Sequence, residues 1–381
     1  MYDKLLSIVI PTKNREKYLK SFLESVSEFV NDNLEVVVQD NSTEPNEIEQ
    51  FLKEKEFSFV VYNYDGTNMS VVDNSNLAIK NSRGKYVCFM GDDDLVSEKL
   101  YDFVVEMDKH GYQSAIFNKA QYYWPGVEFK SHKFPNLIIK KNKYKIKKIN
   151  VEKEFSKLLK KGCTDLGLMP SLYHGVILRD KLNEIYEATG TFFPGPSPDM
   201  ANTVALAHYI TKHVYCGLPL TTAGASPKSA AGLGTKHNHV GKISEVSFLP
   251  KGTEERWNKL VPKVWTGPTI YAQSAYEALI ALGNEKALKK FNYNYLYAFF
   301  KVFCSQYEEQ LEDVKKENPR YCGLFFTISR IKIFMIRVRR YLKNKIMVKT
   351  GKGATLIDNV PNTIEARRIM DKHIKSIDKL F

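Results

Sequence analysis

Three consecutive aspartates, Asp92, Asp93 and Asp94, follow a short apolar run and are here called the acidic triplet. The run, residues 86–90, is rich in residues that favour strands, and Gly91 ends it. Adjacent carboxylates repel one another, so three of them need a positive counter-charge. Hard oxygen donors suit Mg²⁺ or Mn²⁺, and we predict that Asp92 and Asp94 hold such a cation. The alternative is a loop or helix N-terminus, where the helix dipole favours acidic side chains.

Strands and helices alternate through the first hundred residues. Short apolar runs predict strands over residues 5–10, 34–38, 57–62 and 86–90. Apolar residues near helical spacing predict the intervening helices over residues 18–30, 46–55 and 73–82. This order is typical of βαβ units, which build a parallel sheet.

Polar residues follow the carboxyl end of each predicted strand, at 11–15, 40–41, 65–68 and 92–94. In open α/β sheets, ligands bind along this edge. Ordinary turns also use Asn, Asp, Gly and Pro, but four such groups converging with an acidic triplet indicate a ligand cleft. The sequence has no G-x-G-x-x-G after the first strand and no G-x-x-x-x-G-K-[ST]. It therefore argues against dinucleotide binding and P-loop hydrolysis.

Residues 5–100 resemble the glycosyltransferases of family 2, which are inverting enzymes with the GT-A fold. The matching motifs are Ser-Ile-Val-Ile-Pro-Thr-Lys-Asn-Arg at 7–15, Val-Val-Val-Gln-Asp-Asn-Ser at 36–42, Asn-Leu-Ala-Ile at 76–79, Gly-Lys-Tyr at 84–86 and Gly-Asp-Asp-Asp at 91–94. The resemblance implies an α/β fold, a Rossmann-like mixed sheet flanked by helices, with a nucleotide-sugar donor and Mn²⁺ or Mg²⁺ as cofactor. Gly91 stands where the family's D-x-D motif more usually begins with aspartate, so the roles of the three carboxylates stay open.

The resemblance assigns roles to residues before the triplet. Pro11 and Thr12 would lie against the nucleotide, with Asn14 and Arg15 near its base or phosphates. Asp40 would accept a hydrogen bond from the imide N–H of a uracil or thymine. The donor implied is therefore a UDP-sugar or a dTDP-sugar.

The resemblance also assigns roles at and just before the triplet. Asn68 and Asn76 would contact the nucleotide or sugar, although a serine precedes Asn76 where the family commonly has arginine. Asp92 would meet the ribose or the metal, and Asp93 would lie against the nucleotide-sugar. Asp94 would ligate the metal directly.

A proline-rich segment at 192–199 leads into a predicted helix at 200–209. Its last residue, Asp199, is the best positional match to the family's general base. Inverting transfer needs such a base to take the proton from the acceptor hydroxyl. The structural alternative is that Asp199 caps the helix, and Asp165 and Asp180 are weaker rivals for the base.

Residues 221–234 are rich in small side chains, and Lys-His-Asn-His follows at 236–239. We expect a flexible loop that closes over the donor phosphates. His237 or His239 would complete the metal shell, as a C-terminal histidine does in some GT-A enzymes. The alternative is a surface histidine pair without a role. A zinc site has too few partners here.

The chain of 381 residues carries a net charge of +13 and has an isoelectric point near 9.2, which suggests anionic partners. Its five cysteines form no C-x-x-C pair, so neither a disulfide framework nor a cysteine zinc site is indicated. No signal peptide and no run long enough to cross a bilayer is recognised. We expect a cytoplasmic protein at the inner face of the cell membrane.

We predict a glycosyltransferase domain at 1–250, with a nucleotide-binding half at 1–100 and an acceptor half at 101–250. A mainly helical appendage follows at 251–381. Basic and apolar residues mix at 320–352, with no Asp or Glu from 318 to 357. Such a helix can lie on an anionic membrane or pack on its own core or a second copy, which leaves a homo-oligomer open.

The function predicted is metal-dependent, inverting transfer of a sugar to a saccharide, polyol-phosphate or lipid-linked acceptor. The product would be a capsule, O-antigen or teichoic-type polymer. One alternative is a nucleotidyltransferase acting on a sugar phosphate, although residues 11–15 are not its glycine-rich loop. The other alternative is a basic nucleic-acid-binding protein, which the acidic cleft edge disfavours; no nucleic-acid partner is expected.

Overall fold

The computed structural model describes residues 2–128, 136–141, 145–227, 229–235, 240–351, 353–374, 377 and 380–381. In these ranges the strands are β1 (Lys4–Thr12), β2 (Leu34–Asp40), β3 (Val60–Tyr64), β4 (Gly84–Phe89), β5 (Leu95–Val96), β6 (Ser114–Phe117), β7 (Ala120–Tyr123), β8 (Leu137–Lys140), β9 (Ile146–Ile149), β10 (Gly175–Leu178), β11 (His213–Cys216), β12 (Thr221–Ala225) and β13 (Ala354–Ile357). The helices are α1 (Glu16–Ser27), α2 (Asn46–Lys55), α3 (Val71–Lys80), α4 (Leu100–Lys109), α5 (Val151–Lys160), α6 (Arg179–Thr189), α7 (Pro198–Leu206), α8 (Ala230–Thr235), α9 (Gly267–Ala281), α10 (Glu285–Lys290), α11 (Tyr293–Phe303), α12 (Glu308–Glu317), α13 (Gly323–Thr350) and α14 (Thr363–Asp371).

The larger sheet has the strand order β3-β2-β1-β4-β10-β6-β11-β9. Strands β1 to β4 are parallel, as predicted, and β10 runs antiparallel between β4 and β6. Successive side chains of β1 face opposite sides of the sheet, so Ile8 and Ile10 join one core and Val9 joins the other. Helices cover both faces, which explains the continuous apolar runs. The predicted α/β class, a mixed sheet flanked by helices, is confirmed.

The smaller sheet has the order β13-β8-β7-β12-β5 and corrects one prediction. Residues 221–234 were predicted as a flexible loop, but Thr221–Ala225 form β12 and the short helix α8 begins at Ala230. The small side chains serve close packing here, because a Cβ added at Gly224 would lie 1.8 Å from the carbonyl oxygen of Asp93. β12 therefore presses directly on the acidic triplet.

Helices α9 to α13 form the predicted helical region, in which α13 packs on α11. The chain then returns, since β13 pairs with β8 and α14 packs on α1. The last helix, α14, ends at Asp371. No helix in the described ranges is long and apolar enough to cross a membrane. The domain boundary at 250 stays a prediction.

Candidate functional site

The acidic triplet lies beyond the carboxyl end of β4, next to the end of β1. Thr12 Oγ1 donates a hydrogen bond of 2.7 Å to Asp92 Oδ2. Arg15 Nε donates to Asp92 Oδ1 at 2.6 Å, and Arg15 Nη2 lies 2.8 Å from Asp93 Oδ2. Asp92, Asp93 and Asp94 are 4%, 5% and 0% exposed. The polar residues after β1 and β4 thus meet at one edge, as predicted.

Arg15 is the cation that faces this edge most closely. Its Nη2 also donates to Ser226 Oγ at 2.8 Å, and its guanidinium lies 4.8 Å from the ring centre of Tyr18. Burial opposes the guanidinium charge, but Asp92 and Asp93 outweigh burial and raise the pKa of Arg15. One positive charge is therefore shared between two buried carboxylates.

Asp94 is a buried acceptor for backbone groups. Its Oδ2 accepts from the N–H of Gly91 at 2.6 Å, and its Oδ1 accepts from the N–H of Gly224 at 2.7 Å. Burial and the charge of Asp93 raise its pKa well above the usual value, although these N–H groups and the Tyr173 hydroxyl favour the carboxylate. Asp94 therefore joins β4 to β12. Direct metal ligation by Asp94 stays a prediction, and it would compete with these bonds.

Asp92 and Asp93 are better placed to serve as oxygen donors to a cation. Burial raises the pKa of Asp92 to about 6 in spite of its contact with Arg15. Asp93 Oδ2 accepts from the N–H of Ser226 at 3.0 Å, while no hydrogen bond to Asp93 Oδ1 is found within the described residues. Since the guanidinium of Arg15 pairs with only two of the three carboxylates, the cluster fits a divalent cation.

A cation bound at the acidic triplet would take most of its ligands from water and substrate and not from the protein. The described ranges contain no group of three or more His, Cys, Asp or Glu residues arranged to hold a metal. Mg²⁺ in proteins commonly uses one or two carboxylates, with water and substrate phosphates as the other ligands. Two carboxylates at this edge are compatible with that type of site.

His174 lies behind the triplet in a left-handed conformation, with φ of +60°. The strand β10 begins at the next residue, Gly175. His174 Nε2 is 3.4 Å from Asp94 Oδ2, and its buried Nδ1 has no partner within the described residues. Burial, with help from the charge of Lys119, lowers its pKa well below the usual value. The imidazole is therefore neutral, and this approach is not an ion pair.

Asp199 is the second residue of α7, directly after Pro198 at the first helical position. Fixed φ makes proline favourable there. Tyr271 donates a hydrogen bond of 3.4 Å to Asp199 Oδ2. Burial raises the pKa of Asp199, while the charge of Lys119 and the Tyr271 hydroxyl oppose that rise. A carboxylate with a raised pKa suits a general base.

Tyr173 lies between Asp199 and the triplet. Burial raises the pKa of its hydroxyl, and the charges of Asp94, Asp93 and Asp199 raise it further. A narrow cavity beside Tyr173 is also lined by Phe89, Phe193 and Asp199. The two groups of carboxylates are therefore neighbours, separated by one aromatic side chain.

Asp40 and Asn14 are occupied by contacts within the protein. Asp40 is fully buried, and its two oxygens accept from the Ser42 N–H at 2.8 Å and the Tyr62 hydroxyl at 2.9 Å. Asn14 Oδ1 accepts from the N–H of Thr43 at 2.8 Å. The Asn14 bond joins the segments that follow β1 and β2, and the Tyr62 bond joins β2 to β3. The nucleotide contacts expected for Asp40 and Asn14 stay predictions, as does the contact of Pro11, which lies within β1.

Asn76 holds the segment that leads to the candidate base. Its Oδ1 accepts from the N–H of Phe192 at 2.8 Å, and its Nδ2 donates to Thr191 Oγ1 at 2.9 Å. Asn68 is exposed on the turn after β3. Their contacts with a nucleotide or sugar stay predictions, but Asn76 already has a positioning role in this fold.

Lys119, Tyr173 and Tyr271 around Asp199 were not predicted from the sequence, and neither were three residues that bind the triplet. Gly224 and Ser226 donate their N–H groups to the triplet, and Trp124 Nε1 donates to the carbonyl of Asp93 at 2.9 Å. In the sequence these three are small or aromatic residues in turn-like segments. That pattern does not indicate that they contact the acidic triplet, which is far away along the chain. His237 and His239 lie outside the described residues, so their place in a metal shell stays a prediction.

Gly224→Ala is expected to destabilise the fold by about 1–3 kcal/mol, the usual range for overpacking. The added Cβ would force β12 away from Asp93. The control is Gly267→Ala at the start of α9, where an added Cβ meets nothing within 4 Å. Urea unfolding measures both, and equal stabilities would show that β12 does not press on the triplet.

Comparison with known proteins agrees with this geometry. Residues 7–163 match the family model described as glycosyl transferase family 2. An uncharacterized glycosyltransferase of Haemophilus influenzae is 30% identical over 104 residues, which are 27% of this chain and 34% of that protein. Another, from Rickettsia bellii, is 34% identical over 94 residues, which are 24% of this chain and 13% of that protein. The chain thus spans about a third or less of these relatives.

Solved structures are also similar to this chain. S. aureus TarS 1-349 in complex with UDP-GlcNAc aligns with a TM-score of 0.49 and 16% identity, covering 81% of this chain and 89% of that one. The mannosyltransferase PcManGT from Pyrobaculum calidifontis, in complex with GDP-Man and Mn²⁺, aligns with a TM-score of 0.41 and 15% identity, covering 84% and 88%. The resemblance read from the motifs is confirmed by the family match: residues 7–163, which contain the acidic triplet, match the model of glycosyl transferase family 2.

Proposed function

We propose that the protein is a metal-dependent, inverting glycosyltransferase that moves a sugar from a UDP-sugar, or a dTDP-sugar, to a saccharide or polyol-phosphate acceptor. The observation that carries this proposal is the placement of Asp199 beside the acidic triplet, with Tyr173 between them. A leaving-group site and a proton acceptor must flank the same sugar carbon in an inverting transfer. The family match supports the same reaction class.

The donor would lie along the ends of β1, β2 and β4. Thr12 and Asp92 would bind its ribose side, and Asp40 would accept from the base imide. Asp92 and Asp93 would hold Mn²⁺ or Mg²⁺, which supplies Lewis-acid stabilisation of the departing diphosphate. Arg15, which already bridges these carboxylates, would turn toward the phosphates when the cluster gains another positive charge.

Asp199 would act on the acceptor. The acceptor oxygen attacks the anomeric carbon from the face opposite the diphosphate, and its proton passes to the Asp199 carboxylate. The bond between that carbon and the diphosphate oxygen breaks, and the diphosphate leaves with the electron pair. Asn76 positions the segment before α7 through Thr191 and Phe192. Mutation of Asn76 would therefore act through the placement of the base.

A lysine cluster supports an acceptor that carries phosphate, such as a polyol phosphate or a lipid-linked saccharide. Asn118 Nδ2 donates to the carbonyl of Lys140 at 2.9 Å, which brings β8 beside Lys119. Burial lowers the pKa of Lys140, and the charges of Lys119 and Lys343 lower it further. Lys119, whose charge acts on Asp199, and its neighbours Lys140 and Lys343 would attract an anionic acceptor. Such an acceptor suits a surface polymer such as capsule, O-antigen or teichoic-type material assembled at the inner face of the cell membrane.

The test of this function is a hydrolysis and transfer screen with the full chain. UDP-, dTDP-, GDP- and CMP-sugars are incubated with Mn²⁺, Mg²⁺ or EDTA, and release of the free nucleotide is measured. We expect cation-dependent release of UDP or dTDP. Release of pyrophosphate from a nucleoside triphosphate and a sugar phosphate would instead identify a nucleotidyltransferase and overturn the proposal.

Lys119→Met is expected to move the acid limb of the pH–rate profile to higher pH. The charge of Lys119 lowers the pKa of Asp199, so its removal raises that pKa. The base acts as a carboxylate, so a higher pH is then needed to deprotonate it. Tyr271→Phe removes a second group that lowers this pKa and should shift the limb in the same direction. Profiles that coincide with that of the unchanged protein would contradict the assignment of Asp199.

A further inference from the structure

Helix α13 presents a broad apolar surface that the described chain does not cover. The helix is 28 residues long, and its inner side packs on α11 through Phe326 and Ile333, which are 7% and 2% exposed. From Phe334 to Ile346 every residue is exposed. The exposed apolar side chains of the helix are Leu324, Phe325, Ile328, Ile331, Phe334, Met335, Ile336, Val338, Tyr341, Leu342 and Ile346. A contiguous apolar surface of this kind marks an interaction site.

The charge on α13 identifies the type of partner. The helix contains eight lysines and arginines and no aspartate or glutamate. Lys332, Arg339 and Lys343 alternate with the exposed apolar side chains along the outer surface. A second copy of this helix would bring like charges together as the apolar surfaces met, which is unfavourable. A partner that is both anionic and apolar would bind the basic side chains and the apolar side chains of α13 together.

The width of the apolar surface distinguishes between two possible partners of α13, a lipid bilayer and another helix. Leu324, Ile331 and Val338 belong to a stripe on the side opposite Phe326, with residues spaced alternately by four and three. Phe334 and Tyr341 widen the stripe on one side, and Phe325 and Ile336 widen it on the other. A two-stranded coiled coil uses a narrow seam, whereas a broad apolar and basic surface suits the interface of a membrane.

We propose that α13 lies in the surface of an anionic lipid bilayer, with its outer apolar side chains among the acyl chains and its basic side chains at the headgroups. The inner residues Phe326 and Ile333 stay on α11, so the helix docks without leaving the protein. Each basic residue near such a surface strengthens binding by a factor of about five.

Membrane docking would also orient the cleft. β13 follows α13, pairs with β8 and belongs to the sheet whose β12 contacts the acidic triplet. The surface of the bilayer and the cleft would thus be joined by one sheet, which suits a lipid-linked acceptor. That step rests on the proposed function, whereas the contact between α13 and lipid does not.

The experiment is cosedimentation of the full chain with vesicles of phosphatidylcholine, with and without phosphatidylglycerol. Leu342→Glu on α13 is compared with Ile280→Glu on α9, since the two side chains are 51% and 53% exposed. We expect binding to the anionic vesicles that weakens as salt rises. Leu342→Glu should lower the partition coefficient by about tenfold or more, because an apolar contact is lost and a repelled charge is added. Ile280→Glu should leave it unchanged.

Three outcomes would overturn the membrane proposal. One is equal binding to neutral and anionic vesicles, and another is equal loss in both variants. The third is light scattering without vesicles that shows a dimer which Leu342→Glu dissociates, since α13 would then bind a second copy. Circular dichroism melts of both variants establish that each is folded. None of these outcomes bears on sugar transfer, so failure here is distinct from failure of the proposed function.

Discussion

Replacing Asp199 with asparagine is expected to slow sugar transfer by about 10²- to 10⁴-fold, the usual contribution of a general base. Asparagine has nearly the same shape and can still accept from the Tyr271 hydroxyl, so the buried site should keep its packing. It cannot accept the acceptor's proton at neutral pH. Donor binding should change little, because Tyr173, which interacts with both Asp94 and Asp199, lies between Asp199 and the triplet.

The measurements are the turnover number with donor and acceptor and the dissociation constant of UDP. Asp165→Asn is the control, since Asp165 lies in a surface ion pair, 3.1 Å from Lys161. That change should leave turnover near the normal value. If Asp199→Asn transfers sugar at the normal rate, Asp199 is a helix-terminal residue without a role in proton transfer.

Asp93→Asn and Asp94→Asn are expected to fail in different ways. Asp93 has an oxygen without a hydrogen bond in the described structure, so its charge is available to a cation. Losing one charge beside a divalent ion should weaken cation-dependent UDP binding on the order of 100-fold. Asp94 instead accepts from Gly91 and Gly224. The asparagine amide would face one of these N–H groups, and unfolding free energy should fall by about 1–3 kcal/mol.

Isothermal titration with UDP and Mn²⁺, together with urea unfolding, separates the two effects. Asp93→Asn should lose affinity while keeping its stability. Asp94→Asn should have a lower free energy of unfolding than the unchanged protein. Normal stability with lost affinity in Asp94→Asn would show that Asp94 is itself a metal ligand, as the sequence motif predicted, and that its backbone bonds give way when a cation binds.

The ends of the first and fourth strands could be predicted from the sequence because the signals are local. The run at 5–10 is apolar throughout, and the polar residues that follow it must lie at the edge of the sheet. Thr12 and Arg15 therefore met Asp92 as expected. The proline before Asp199 likewise indicated that a helix, α7, starts there.

The contacts that β12 and Asn76 make at the site could not be predicted in the same way. Small residues at 221–234 carry little preference for a strand, and only packing against Asp93 explains Gly224. Asn76 matches a family motif, yet its amide is engaged with Phe192. Motifs identify which side chains are present, whereas hydrogen bonds to segments far along the chain decide which of their atoms are free.

In the proposed mechanism, the acidic triplet holds a cation when the nucleotide binds. Titration of UDP into the unchanged full chain, once with EDTA and once with Mn²⁺ at pH 8, tests this claim directly. At this pH Asp92, with a pKa of about 6, is ionised. We predict that Mn²⁺ tightens UDP binding by about tenfold or more. Equal affinity in EDTA and Mn²⁺ would contradict the account.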